Sequence, residues 1–265
     1  MPRRSPPKLG QHFLADTRYR RRILEALHLR PNDLVIEIGA GRGAMTSLLA
    51  ERARRVVAIE VDPELVNHLQ RKFEGDERIE ILAADILATD IGAICRRHAA
   101  EECVVFGNLP YYITSPIIHH LLAAPGRLRG LTLLVQQEVA ERLTAGPGTR
   151  AYGYLSVLAQ IYSQPRLLFS VPAGAFSPAP KVRSALVDFQ MRDRLPALGL
   201  EDGAKFLEFV KRCFAQKRKN LLNNLAGNWT RPRVERELAS LGLSPRLRAE
   251  QLSLQQFAAL FERLG

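Results

Sequence analysis

The stretch DLVIEIGAGRG (33–43) runs an apolar segment directly into three glycines at alternate positions. Residues 33–39 have the composition of a buried strand. The following RGAMTSLLAERA (42–53) sets Met45, Leu48, Leu49 and Ala53 at helical spacing. Gly39, Gly41 and Gly43 therefore mark a strand-to-helix turn. Glycine lets such a turn bend sharply and brings the backbone close to a ligand, with no Cβ in the way.

Working outward, the alternation continues. RRVVAIE (54–60) reads as a strand. DPELVNHLQRKF (62–73) reads as a helix with Asp62 as N-cap and Pro63 in its first position. IEILAAD (79–85), CVVFGN (103–108) and LTLLVQ (131–136) are further strands. TSPIIHHLLAA (114–124), opening at Ser115-Pro116, and QEVAERL (137–143) are further helices. Strands separated by helices predict a parallel sheet covered on both faces, an α/β fold. Two acids then stand at its carboxyl edge. Glu60 ends the second strand, 21 residues after Gly39, where a carboxylate can accept both ribose hydroxyls of a nucleoside cofactor. Asp85 follows the third strand, where it can accept from an adenine amino group. Asp62 is accounted for by its capping role and stays outside the site.

The pattern changes after the loop GPGTR (146–150). YGYLSVLAQIY (152–162) reads as a helix, SPAPKV (177–182) as a proline-bound turn and SALVDFQM (184–191) as a last strand. From 204 onward only helices are expected, over 204–217, 218–226, 231–241 and 253–264. The predicted division is a large domain over 1–191 and a smaller all-helical one over 203–265. The latter holds 12 Lys/Arg against 5 Asp/Glu.

The whole chain of 265 residues carries 38 Lys+Arg against 27 Asp+Glu, a net charge of +11. Such a surface attracts polyanions, nucleic acid first. Apolar residues make up 46%, enough for a sizeable core rather than disorder. The three cysteines, at 95, 103 and 213, form no CxxC pair and no disulfide framework. The six histidines lack metal spacing, so no metal is expected. No run of 18 apolar residues exists, and the basic start lacks the apolar core of a secretory signal. A cytoplasmic, membrane-free protein is expected.

FGNLPYYITSP (106–116) leaves the fourth strand at the same edge as Gly39, Glu60 and Asp85. NLPY (108–111) resembles the N/D-P-P-Y/F signature of amino methyltransferases. The resemblance implies an exocyclic amine as target, whose lone pair is delocalised into the base and must be held to attack. The Asn108 side-chain oxygen and the Leu109 carbonyl can accept its two N–H groups. Pro110 fixes φ and offers no competing donor. Tyr111 gives a flat face for an extruded base. Tyr112 fits a core role.

The G-x-G-x-G turn led by Glu37 likewise resembles the first motif of Rossmann-like S-adenosylmethionine methyltransferases. With KLGQHFL (8–14), FSPAPKVRSALV (176–187) and FAQKRKNLLNNL (214–225), these motifs fall in the order seen in ribosomal RNA adenine dimethyltransferases of the KsgA type. The resemblance covers nearly the whole chain. It implies a Rossmann-like methyltransferase domain with a smaller helical domain. The implied activity is dimethylation of two adjacent adenosines near the 3′ end of small-subunit ribosomal RNA, in an immature 30S particle, by a monomer that uses S-adenosylmethionine. It further implies that Gln11, His12 and Leu14 close over the methionine end of the cofactor, with Gly39, Gly41, Glu60, Asp85 and Asn108 completing that pocket. Many members have Asn where this chain has His12. Phe176 looks like the family's second aromatic, facing Tyr111 across the target base. Lys217, Arg218 and Lys219 of QKRKN (216–220) are the expected RNA-phosphate contacts. Two alternatives remain: an erythromycin-resistance type enzyme acting on large-subunit RNA, and a non-catalytic assembly or transcription-factor-like binder.

Overall fold

The chain's computed structural model describes residues 11–110, 113–122 and 127–265. The first strand of the central sheet, β2 (Leu34–Ile38), is buried at every position, as its unbroken apolar run requires of a strand covered on both faces. Burying side chains such as Val35 and Ile36 stabilises the fold by about 1.5–3 kcal/mol each. It is flanked in parallel by β3 (Arg55–Glu60) on one side and β5 (Cys103–Asn108) on the other. Beyond β3 lies β4 (Ile79–Ala83), and beyond β5 lies β6 (Leu128–Gln136), both parallel. The sheet therefore grows outward in two directions from the β2–β5 pair. Ligands bind at the carboxyl ends of the strands at such a switch point.

The strand β9 (Ser184–Met191) was expected, but it runs antiparallel to β6, so the sheet is mixed. A strand not read from the sequence, β7 (Ser163–Val171), completes the order β4-β3-β2-β5-β6-β9-β7. A two-stranded ribbon pairs β1 (Phe13–Leu14) with β8 (Phe176–Ser177).

Helices follow the strands as the sequence implies. After the glycine turn comes α2 (Ala44–Ala50). In α3 (Pro63–Lys72), Asp62 accepts from Glu64 N at 2.9 Å, a cap worth about 0.5–2 kcal/mol. Glu64 at its start and Arg71 and Lys72 at its end complement the helix dipole. The expected helices α5 (Thr114–Leu122) and α6 (Gln137–Thr144) are present, and α1 (Thr17–Ala26) and α4 (Ile91–Arg97) were not read from the sequence.

The chain divides into two compact units, one of residues through Ala140 with Arg166–Met191, the other of Glu141–Pro165 with Arg192–Gly265. This differs from a division between 191 and 203, because 141–165 groups with the C-terminal helices. In the second unit α7 (Tyr154–Tyr162) packs on α8 (Gly203–Cys213) and α11 (Leu254–Leu264), and α9 (Leu221–Leu225) on α8 and α10 (Arg231–Ser240). Phe209 lies edge-on to Trp229 at 5.8 Å, and the Trp229 indole donates to Leu264 O at 2.7 Å. A capping box between Ser253 and Gln256 starts α11. Among the described residues no helix is long and apolar enough to cross a membrane.

Candidate active site

At the switch point the carboxyl ends of β2, β3, β4 and β5 open into a cleft that communicates with solvent. Gln11, His12, Gly39, Gly41, Glu60, Asp85, Asn108, Leu109 and Pro110 all line it. The reason lies in the topology: from Gly39 to Pro110 each residue sits at, or just after, the end of a strand that reaches this edge, while Gln11 and His12 come from the segment that precedes β1.

The glycine turn is shaped for close approach. Gly41 has φ +59°, and a Cβ there would sit 2.9 Å from the Phe13 ring. Gly39 has φ +72°, and its Cβ would meet Asn108 O at 3.4 Å. Side chains at these positions would fill the cradle and strain the backbone.

Glu60 is buried and accepts three backbone donors. Gly41 N reaches Oε2 at 2.9 Å, while Val61 N and Asp62 N reach Oε1 at 2.9 and 3.1 Å. A carboxylate offers roughly four lone-pair sites, so capacity remains on Oε2 for a ribose hydroxyl. The loop and the ligand thus share one carboxylate. Asp85 caps the 3₁₀ turn Ile86–Ala88, accepting from Leu87 N at 2.9 Å, and still lines the cleft. Val61, 55% exposed although apolar, lies in the wall together with Ile86. The cradle, the carboxylates and these apolar walls fit a nucleoside cofactor with no pyrophosphate.

Beneath the turn, Glu37 is buried and accepts from the Thr46 hydroxyl at 2.5 Å. Burial pushes its carboxyl up to about 8. Lys72 Nζ reaches over from α3 to Arg42 O and Gly43 O at 3.0 and 2.9 Å, tying helix to turn.

The segment after β5 is held from both sides. Leu109 N donates to Leu134 O at 3.1 Å, and the Thr114 hydroxyl donates to Pro110 O at 3.0 Å. Asn108 Nδ2 donates to His12 O at 3.0 Å. With its nitrogen committed, the amide presents Oδ1 as its acceptor.

The sequence profile described as ribosomal RNA adenine dimethylase matches residues 4–265. The chain belongs to that family. It is 43% identical over 259 residues to "Ribosomal RNA small subunit methyltransferase A" of Acidobacterium capsulatum, covering 97% of this chain and 90% of the relative. The protein of the same name from Koribacter versatilis is 40% identical, with 97% and 93% covered. Among solved structures, the 23S rRNA methyltransferase ErmE is 31% identical with a TM-score of 0.69 over 95% of this chain and 99% of that one. A dimethyladenosine transferase from Plasmodium falciparum, 23% identical, shares the fold with a TM-score of 0.78 over 94% of this chain and 96% of its own. The fold is the Rossmann-like methyltransferase fold of these proteins, and the chain is an S-adenosylmethionine-dependent methyltransferase of the dimethylase family.

One expected pocket residue, Leu14, lies elsewhere, and Phe176, expected at the target base, packs beside it. Leu14 and Phe176 are both buried in one core cluster with Ile23, Met45 and Leu49, and they face each other as a register pair of the β1–β8 ribbon. Neither lines the cleft. Alternation along β1 explains it: Phe13 takes the cleft face, leaving Leu14 for the core. Tyr111 and Tyr112 lie outside the described residues. Lys217, Arg218 and Lys219 are exposed, but on the turn between α8 and α9 rather than at a helix start. Lys217 Nζ donates to Arg150 O at 3.0 Å, so the exposed Arg150, absent from the sequence-based set, adjoins the cluster.

Proposed function

We propose that this dimethylase methylates the exocyclic amine of two adjacent adenosines near the 3′ end of small-subunit ribosomal RNA, acting as a monomer on an immature small-subunit particle in the cytoplasm. The cofactor would lie along the strand ends, with its ribose on Glu60, its adenine between Val61 and Ile86 beside Asp85, and its methionine end near Gly39, Gly41 and Gln11. Bound there, S-adenosylmethionine supplies an electrophilic methyl on its sulfonium. Asn108 Oδ1 and Leu109 O accept the two N–H groups of the target amine and turn its lone pair toward that methyl. No strong base is needed, since the nitrogen becomes acidic as it is alkylated. Tyr111 is assigned the stacking face for the extruded base. Phe176, paired with Leu14 in the β1–β8 ribbon, is assigned to the ribbon's packing first. The basic turn Lys217–Lys219, with Arg150, is assigned to RNA phosphates.

The observation that carries this reading is the Asn108 amide, its nitrogen held by His12 O and its oxygen left as the acceptor at the cleft. The names of the relatives at 43% and 40% identity favour the small subunit. The structural likeness to a 23S enzyme keeps large-subunit RNA as the second reading. Primer extension on both ribosomal RNAs, from cells lacking the chain and from cells supplied with it, separates the two. Stops restored at adjacent adenines near the small-subunit 3′ end support the proposal, and stops in large-subunit RNA overturn it.

A further inference from the structure

His12 reaches two parts of the site at once. Its backbone oxygen accepts Asn108 Nδ2 at 3.0 Å, and its ring Nδ1 lies 2.8 Å from Pro178 O. A carbonyl only accepts, so Nδ1 carries the proton and donates. Around this contact the same two segments are joined by backbone. Ala15 N and Asp16 N both donate to Ala175 O, at 2.8 and 3.0 Å, and Phe13 pairs with Ser177. The 175–178 loop is therefore linked through residues 12–16 to the side-chain amide of Asn108.

We propose that His12 is a positioning residue for methyl transfer: its imidazole clasps the 175–178 loop, and its carbonyl thereby fixes the rotation of the Asn108 amide. This rests on the role assigned to Asn108 above. If the His12 backbone shifts, Asn108 Nδ2 loses its acceptor. The amide can then turn an N–H toward the position where the target amine needs an oxygen. Displacements of this size at a reacting centre lower rates by one to two orders of magnitude. His12 also lines the cleft, so a donor role must be told apart from the role of a wall. Asparagine carries Nδ2 as many bonds from Cα as histidine carries Nδ1. His12→Asn therefore keeps a donor in place, while His12→Leu keeps bulk without one.

The test combines single-turnover methylation of small-subunit particles, calorimetry with S-adenosylmethionine and a ¹⁵N spectrum of the full chain's imidazoles. His12→Leu should slow transfer about tenfold, with cofactor affinity and KM for the particle within about twofold of the parent. His12→Asn should recover most of the rate. At a pH where the ring is neutral, the parent spectrum should show His12 as the Nδ1–H tautomer. Equal losses in both variants, a loss confined to cofactor affinity, or an Nε2–H tautomer would each overturn the clasp. If His12→Leu does not fold, the tautomer and the asparagine variant decide. If the parent methylates no small-subunit adenine, the function proposed above fails, while the tautomer still reports on the clasp alone.

Discussion

The turn at 39–43 and the turn at 214–220 are both braced by hydrogen bonds, Gln216 O in the second accepting from Lys219 N at 3.0 Å and Asn224 Nδ2 at 3.3 Å, but they treat their charged side chains in opposite ways. In the first, Gly41 N is bound by Glu60, Arg42 O and Gly43 O are bound by Lys72, and Thr46 is bound by Glu37. In the second, Arg218 and Lys219 extend into solvent, and Lys217 rests on Arg150 O. A pocket for one small molecule works through donors and acceptors fixed before the ligand arrives. A surface for a polyanion works through charge, with counterion release giving the affinity, and needs no fixed geometry. The first kind of site leaves a spacing in the sequence. The second leaves only a composition.

The largest expected effect tests the fixed kind at the reacting end. Asn108→Ala should lower single-turnover methyl transfer on the order of 10²-fold or more, with cofactor affinity changed far less. A variant that melts early but keeps its rate per folded molecule would reduce NLPY to a turn.

Next comes the shared carboxylate. Glu60→Ala should weaken S-adenosylmethionine binding by about 1.5–3 kcal/mol, the scale of a hydrogen bond to a charged group. It should also lower the melting temperature, because Gly41, Val61 and Asp62 lose their acceptor. Calorimetry with a melting curve measures both. Unchanged affinity would show that the ribose does not use this group.

The adaptive kind is tested by replacing Lys217, Arg218 and Lys219 with Gln. RNA affinity should fall, and the slope of log affinity against log salt should flatten by about 2, at roughly 0.7 per single-strand phosphate. Cofactor affinity should stay level. An unaltered slope would return the turn to an ordinary solvated surface.

A last effect, on stability alone, concerns the floor of the glycine turn. Burial raises the Glu37 carboxyl from 4.5 to about 8; the Thr46 hydroxyl and Lys72 oppose the rise, and Glu60 adds to it. An unfolded chain would release this proton near 4.5, so between the two values the folded state holds a proton that the unfolded one has lost. Stability then falls as pH rises through that window. Glu37→Gln, neutral throughout, should flatten the decline in melting temperature between about pH 5 and pH 8. An equally steep decline in the variant would assign the slope to other groups.

The central strands were legible because each was a compact apolar run closed by a turn signal, and the pocket followed from where those runs ended. Asp62 and Pro63 announced the start of α3 to the residue. The antiparallel course of β9 was hidden, since an apolar strand such as SALVDFQM carries no mark of its direction. SQPRLLFSV escaped notice as β7 because Pro165 argues against a strand interior, and its exposed Leu167 and Leu168 blur the alternation. Leu14 was misplaced for a related reason. A two-residue strand is too short to show which face each side chain takes, and only the register of β1 on β8 reveals it. The Glu60 carboxylate was found, but not its second duty toward Gly41, which depends on how far a loop 19 residues earlier folds back.

The second unit is assembled from two separated stretches, 141–165 and 192–265, and this bears on how the protein is made. During synthesis α7 emerges well before α8 and α11, against which it packs. Leu155, Val157, Leu158 and Ile161, all buried in the finished chain, must wait. At 5–20 residues per second the remaining C-terminal stretch takes about 4–15 s to appear. Through that interval a nascent chain that has already completed its sheet carries an apolar helix that is first bare and then, once α8 has appeared, still without α11, and this is the stage at which a chaperone would find a grip.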